Sequence, residues 1–95
     1  MARRALLADG EIRERLREVP RWKRKGNAIT GTWTFEDFPH ALAFINRVGE
    51  LAEAANHHPD IYNSWATVRL RLTTHDAGGL TARDFDLARR IDALG

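Results

Sequence analysis

Ninety-five residues make one small domain and exclude a large multi-domain enzyme; a chain this short buries only about two-thirds of the surface it exposes when unfolded. The absence of cysteine excludes a disulfide framework, a thiol nucleophile and any cysteine-ligated metal centre, so apolar packing must carry the fold, and a reducing compartment suits it. With 43% hydrophobic and 29% charged residues and a net charge of +2, the composition is that of a folded globular protein and too apolar for a disordered chain.

No apolar run reaches the roughly 18 residues of a membrane helix, and the stretch from Met1 to Ala8 lacks the longer apolar segment of a signal peptide. A cytoplasmic protein with no membrane partner is expected. Lys and Arg outnumber Asp and Glu nine to four over residues 1–25 and are outnumbered six to nine over 26–95. The basic front could meet phosphates, most densely at Arg21, Lys23, Arg24 and Lys25, but Arg13, Arg15 and Arg17 alternate with Glu14 and Glu18 as on an ordinary solvated helix. Thirteen arginines to two lysines also fit a bias in base composition, so nucleic acid ranks low among partners.

In chain order, Leu6 or Leu7, Ile12, Leu16 and Val19 recur at helical intervals, with Asp9 placed to cap and Pro20 beyond the end, which predicts a helix over about 9–18. Trp22 begins an extended stretch and Gly26-Asn27 supplies a turn. From Ala28 to Phe35 the chain alternates, with Ile29, Gly31, Trp33 and Phe35 on one face and Thr30, Thr32 and Thr34 on the other, as in a β-hairpin. From Asp37 the period becomes helical through Phe38, Ala41, Ile45, Val48, Ala52 and Ala55, with Leu42, Phe44 and Leu51 widening the stripe, until Pro59 stops it. A second β unit sets Val68, Leu70, Leu72 and Thr74 against Thr67, Arg69, Arg71 and Thr73, and Asp76-Ala77-Gly78-Gly79 ends it. The last helix spans about 82–94 on a stripe of Leu80, Leu87, Ala88, Ile91 and Leu94, with Thr81 and Asp84 at capping-box spacing. The order αββαββα predicts an α+β fold, a four-stranded antiparallel sheet with three helices packed on one face. The domain is expected over 1–95, with residues 1–8 open to reading as a disordered tail.

His57, His58 and His75 fall within nineteen residues, with Glu53, Asp60 and Asp84 close in sequence. At the end of the long helix, carbonyl partial charges favour a protonated imidazole, and Glu53 lies four residues before His57, so the two could meet on one face. A histidine so held can shuttle protons near neutrality; it can equally be a C-terminal cap, and His75 a turn residue. Asp84 shares its apolar stripe with Leu87 and Ala88 and therefore needs a partner, whether as a helix cap or beside a site. A three-histidine zinc site is the weaker alternative, because adjacent histidines seldom converge on one metal and no His-Glu-x-x-His pair is present; no resident metal is expected. Phosphate-cradling glycine loops and a Gly-x-Ser-x-Gly elbow are absent too. His40 reads as surface or partly buried structure, and Trp22, Trp33, Phe35, Phe38 and Phe44 as core. Trp65 suits either stacking on a flat heterocycle or filling the sheet. Strict alternation puts His75 on the Arg69 and Arg71 face, so either the strand breaks near Thr74 or a site lies at the sheet's rim.

Glu53-Ala54-Ala55-Asn56-His57-His58-Pro59, with Trp65 six residues on, His75 ten after that and Asp84 nine further, resembles the signature of the pterin-4a-carbinolamine dehydratases. Phe35-Glu36-Asp37-Phe38 and the run from Thr74 to Thr81 are similar to the same family, and the resemblance covers roughly 22–92. It implies the αββαββα fold and subunits that associate through their sheets as homodimers or homotetramers. It also implies removal of water from 4a-hydroxytetrahydropterin to give quinonoid dihydropterin, recycling the cofactor of aromatic amino acid hydroxylases, with a possible link to phenylalanine hydroxylase. No cofactor is implied, because the pterin is the substrate. By the resemblance His57, His58 and His75 form the catalytic cluster. His57 and His75 are then the acid candidates for the departing hydroxyl, and His58 is the base for the N5 proton. Glu53 would orient His57, Asp84 would tune His75, and Trp65, Pro59 and Thr74 would help bind the substrate. The competing reading is a non-catalytic protein-binding, coactivator or assembly module of the same fold; assembly members tend to lose the histidines that this chain retains.

Overall fold

The structure, a computed structural model, describes residues 6–94. In chain order it contains α1 (Asp9–Leu16), β1 (Lys23–Lys25), β2 (Ala28–Thr34), α2 (Phe38–Ala55), β3 (Asp60–Ser64), β4 (Thr67–Leu72) and α3 (Ala82–Asp92), with a 3-10 turn over His75–Ala77. This is the expected α+β order. The four strands are antiparallel and lie side by side as β1-β2-β4-β3. The two strongly alternating segments take the centre, where each has a neighbour on both sides. Ile29 faces Leu72, Gly31 faces Leu70 and Trp33 faces Val68, so one surface of the sheet is apolar. Thr30 opposite Arg71 and Thr32 opposite Arg69 make the other surface polar.

Ile12 of α1, Phe44 and Val48 of α2, and Phe85, Leu87 and Ile91 of α3 are buried in one core with that apolar surface. Each such side chain contributes about 1.5–3 kcal/mol by leaving water. Phe85 is fully buried although it lies outside the stripe read from spacing, whereas Phe38 and Leu42, read as part of the α2 stripe, are largely exposed. Trp22 meets Trp33 edge-on at 5.3 Å between ring centroids, and Trp33 and Phe35 each lie 5.0 Å from Phe44. Gly31 makes room for this cluster, because a Cβ there would stand 2.9 Å from the Trp33 ring and 3.1 Å from Trp22.

The ends of the elements differ from the sequence reading for local reasons. Ala8, not Asp9, is the N-cap of α1; its amide donates to Glu11 Oε1 at 2.9 Å, while Asp9 pairs with Arg24. Residues 1–5 of the expected tail lie outside the described residues; within 6–8, the Leu7 N–H donates to the Leu80 carbonyl at 2.9 Å and the Leu7 side chain packs against the core. α2 begins as expected at Asp37, whose carboxylate accepts from the His40 amide, but it ends before Pro59. Asn56 adopts the left-handed conformation, φ 49°, and closes the helix, so His57 and His58 lie beyond it and do not form its last turn. α1 and α3 each stop two residues earlier than the spacing suggested.

Candidate active site

Three chain segments converge at one end of the helix layer: the exit from α2, the loop after β4 and the first turn of α3. Asp84, fully buried, joins them. Its Oδ1 lies 2.6 Å from His57 Nε2, and its Oδ2 accepts from Thr74 Oγ1 at 2.8 Å and from the Thr81 amide at 2.9 Å. The amide bond is half of the capping box anticipated from Thr81 and Asp84. Thr74 and Thr81 also share a hydroxyl contact of 2.8 Å. A buried carboxylate is tolerated when its lone pairs are occupied in this way. A carboxylate oxygen accepts, so the contact with Asp84 favours the His57 tautomer that carries its proton on Nε2, with Nδ1 as the other polar atom of the ring. His57 is itself buried and lines a cleft of about 240 Å³ between α2 and α3, together with Arg83 and Arg90.

Glu53 holds the other histidine. Its Oε2 is 2.5 Å from His58 Nε2, with both side chains exposed. The expected contacts of Glu53 with His57 and Asp84 with His75 are therefore corrected: Glu53 meets His58, and Asp84 meets His57. The cause is Asn56, because four-residue spacing aligns side chains only while the helix continues, and it ends at Ala55, two residues before His57.

His75 is exposed in the 3-10 turn, and Thr74 just before it is buried and bonded to Asp84. The loop is closed by an antiparallel bridge between Thr74 and Gly79, and Gly78 takes φ 80° to turn it. The strand thus breaks after Leu72, which answers the alternation problem: His75 is not on the Arg69 and Arg71 face by strand register. Through Thr74 and Asp84, the backbone bearing His75 is tied to the ring of His57.

Trp65 occupies the tight turn between β3 and β4 with φ 50° and is 71% exposed, which removes the reading that it fills the sheet. Asn63 fixes that turn by donating to the carbonyls of Trp65 and Thr67 at 3.1 and 3.0 Å. Pro59 is half-buried between His58 and the start of β3. His40, 17 residues upstream of His57, is exposed and bound to Asp37, away from these contacts.

Two residues that the spacing did not single out complete the arrangement. Arg83 donates to the carbonyls of Ala55 and Asn56 at 3.1 and 2.5 Å, so the turn of α3 that holds the His57 ring also holds the backbone before it. Its position next to Asp84 was the available signal; nothing local signalled Asn63. Among the described residues, no group of three or more His, Asp or Glu side chains is arranged to hold a metal ion, and no helix is long and apolar enough to cross a membrane.

Comparison with known proteins places these features in a family. Residues 5–94 match the family model described as pterin 4 alpha carbinolamine dehydratase, a longer stretch than the 22–92 of the sequence resemblance. A protein of Roseiflexus castenholzii, provisionally named pterin-4-alpha-carbinolamine dehydratase, is 56% identical over 90 residues, which is 95% of this chain and 97% of that protein. A similarly named protein of Nocardia farcinica is 53% identical over 89 residues, 94% of each chain. The crystal structure of a transcriptional coactivator/pterin dehydratase from Brucella melitensis superposes with a TM-score of 0.91 at 33% identity, covering 95% of this chain and 98% of that one. A pterin dehydratase-like protein described as a RuBisCO assembly factor of the alpha-carboxysome shares the fold, with a TM-score of 0.63 at 24% identity over 78% of this chain and 86% of that one.

Proposed function

Because this chain belongs to the pterin 4 alpha carbinolamine dehydratase family, we propose that it removes water from 4a-hydroxytetrahydropterin to give quinonoid dihydropterin. The observation that carries the reading is the buried link from His57 through Asp84 to Thr74, which joins the histidine pair to the His75 loop. The reaction breaks the bond from C4a to oxygen, releases the hydroxyl as water once it is protonated, and forms the C4a–N5 double bond as the N5 proton leaves. It therefore needs an acid and a base that both work near neutral pH, which imidazoles supply. The proposed site consists of His57, His58 and His75.

His75, exposed on its turn, and His57 are the acid candidates for the hydroxyl; His58, oriented by Glu53, is the base for N5. Asp84 fixes the tautomer and aim of His57 and acts as a positioning residue, as does Glu53 for His58. Trp65 and Pro59 are assigned to substrate binding, with the exposed Trp65 ring as a stacking surface for the flat pterin; Thr74, 1% exposed with its hydroxyl bonded to Asp84 and Thr81, acts instead as a positioning residue through Asp84. The pterin is the substrate and no resident cofactor or metal is invoked. The same reading proposes a cytoplasmic homodimer or homotetramer that serves an aromatic amino acid hydroxylase such as phenylalanine hydroxylase.

The test is stopped-flow absorbance of freshly generated 4a-hydroxytetrahydropterin at neutral pH, comparing wild type, His75→Ala and the spontaneous reaction. Acceleration by wild type that largely disappears in His75→Ala is the expected result; folded wild type that gives no acceleration refutes the dehydratase reading. A pH–rate profile unchanged by His58→Ala would remove His58 as the base. The coactivator half of the Brucella structure's description supports a protein-binding role as the second reading, which an inactive but folded wild type would favour.

A further inference from the structure

The sheet surface turned away from the helices carries its own pattern, apart from the histidine site. The strand register sets Lys23, Thr30, Arg71 and Asp60 in one row across all four strands, and Thr32, Arg69 and Tyr62 in the next. Lys25, two residues from Lys23 on β1, projects to the same side. All four cations are exposed, and together with Thr30, Thr32 and Tyr62 they line one shallow groove. Asp60 is the one carboxylate in these rows, and Arg71 takes it at 3.2 Å. Among the described residues, Lys23, Lys25 and Arg69 have no carboxylate within ion-pair distance. Tyr62 is 53% exposed, and the Arg69 guanidinium lies over its ring at 5.0 Å from the centroid.

We propose that this face binds single-stranded nucleic acid. The unneutralised cations supply phosphate contacts. The Arg69–Tyr62 pair supplies a flat cationic platform on which an unpaired base can stack. A second copy of the chain laid face to face would oppose like charges, and a duplex keeps its base faces inside its own stack, so neither uses the platform. The basic segment at Lys23 to Lys25, weak as a signal in sequence, acquires its partners only when the sheet brings β4 and β3 alongside. This inference is independent of the dehydratase reading.

Fluorescence anisotropy of the intact protein with a labelled dT15 strand, at 50 and 200 mM NaCl, tests it. Three to four phosphate contacts on a single strand predict a log–log salt slope of about −2 to −3, or a loss of affinity of roughly 20- to 50-fold between those concentrations. The double variant R69A/R71A should weaken binding at least tenfold, and so should K23Q/K25Q, which alters a different strand. Tyr62→Leu should weaken dT15 binding about 5- to 100-fold while leaving an abasic strand of the same length unaffected. Circular dichroism establishes that each variant is folded, and Arg13→Ala on α1 should change nothing. The proposal is overturned if wild type shows no saturable binding at 50 mM NaCl, or if the double variants bind as wild type does. Equal affinity for the abasic strand, for duplex or for anionic phospholipid vesicles overturns it too, by showing charge attraction without base stacking.

Discussion

Asp84 is the residue on which most of the candidate site's contacts depend. It is fully buried and has three polar partners drawn from three segments, His57, Thr74 and Thr81. Asp84→Asn keeps the shape but replaces an acceptor oxygen by a donor facing other donors. The variant should lose about 2–4 kcal/mol of stability, read as a shift in the urea midpoint, and at least tenfold in dehydration rate when the folded fraction is assayed. His40 provides a contrasting pair at the surface. Its hydrogen bond to Asp37 raises the imidazole above its ordinary pKa, with the Asp37 charge adding to the effect, while the His40 backbone amide, followed by its ring, lowers Asp37. The raised imidazole contributes stability that is complete below its unfolded value and lost as pH climbs through its folded one; the lowered carboxylate contributes above its unfolded value and loses it as pH falls through the folded one. An NMR titration should therefore place the His40 midpoint above that of an unstructured histidine, and Asp37→Ala should bring it down. At this scale the sequence is a good guide to which polar residues make side-chain contacts and a poor guide to their partners. His57, His58, Glu53 and Asp84 stand out by type and spacing, but which carboxylate meets which imidazole depends on a single backbone conformation at Asn56.

Elements are legible where periodicity is strong. The 18-residue α2 and the alternation in β2 and β4 follow from apolar spacing, whereas β3, Asp60–Ser64, has four of its five residues exposed and little alternation to betray it. It is a strand because β4 offers it a free edge. Gly31 shows what alternation conceals: on the apolar face of β2 it reads as a weak position, yet it faces Leu70 beneath two indoles. Gly31→Ala removes glycine's entropic cost in a strand but drives a methyl group against both rings. The net effect should be a destabilisation of about 1–3 kcal/mol, measured by chemical denaturation, with Gly49→Ala as the control: Gly49 lies in α2 with open space around its would-be Cβ, so that change should be neutral or stabilising.

Across the whole molecule, contacts distant in sequence close the fold. Trp22 donates its indole N–H to Asp92 Oδ1 at 2.9 Å across 70 residues, fastening the entry to the sheet onto the end of α3. Asp92→Ala leaves that N–H without its acceptor and should lower the denaturation midpoint by the equivalent of about 1–2 kcal/mol, without altering the rate measured on folded protein. Nothing local at either residue announces the bond, just as nothing at Arg83 announces its grip on the carbonyls of Ala55 and Asn56. The layering was within reach of the sequence because burial is periodic; these fasteners were not, because they depend on how layers already formed meet.

The placement of the three tryptophans gives the protein a built-in optical probe. Trp22 and Trp33 are 2% and 6% exposed and in contact, whereas Trp65 stands 71% exposed at the tip of its hairpin. Intrinsic emission should therefore divide into a blue-shifted, shielded part and a red-shifted part that acrylamide quenches, and Trp65→Phe should remove the second alone. A flat ligand settling on the hairpin would dim that red component first, so occupancy could be followed in unlabelled protein, while loss of the blue component would report unfolding in the same cuvette.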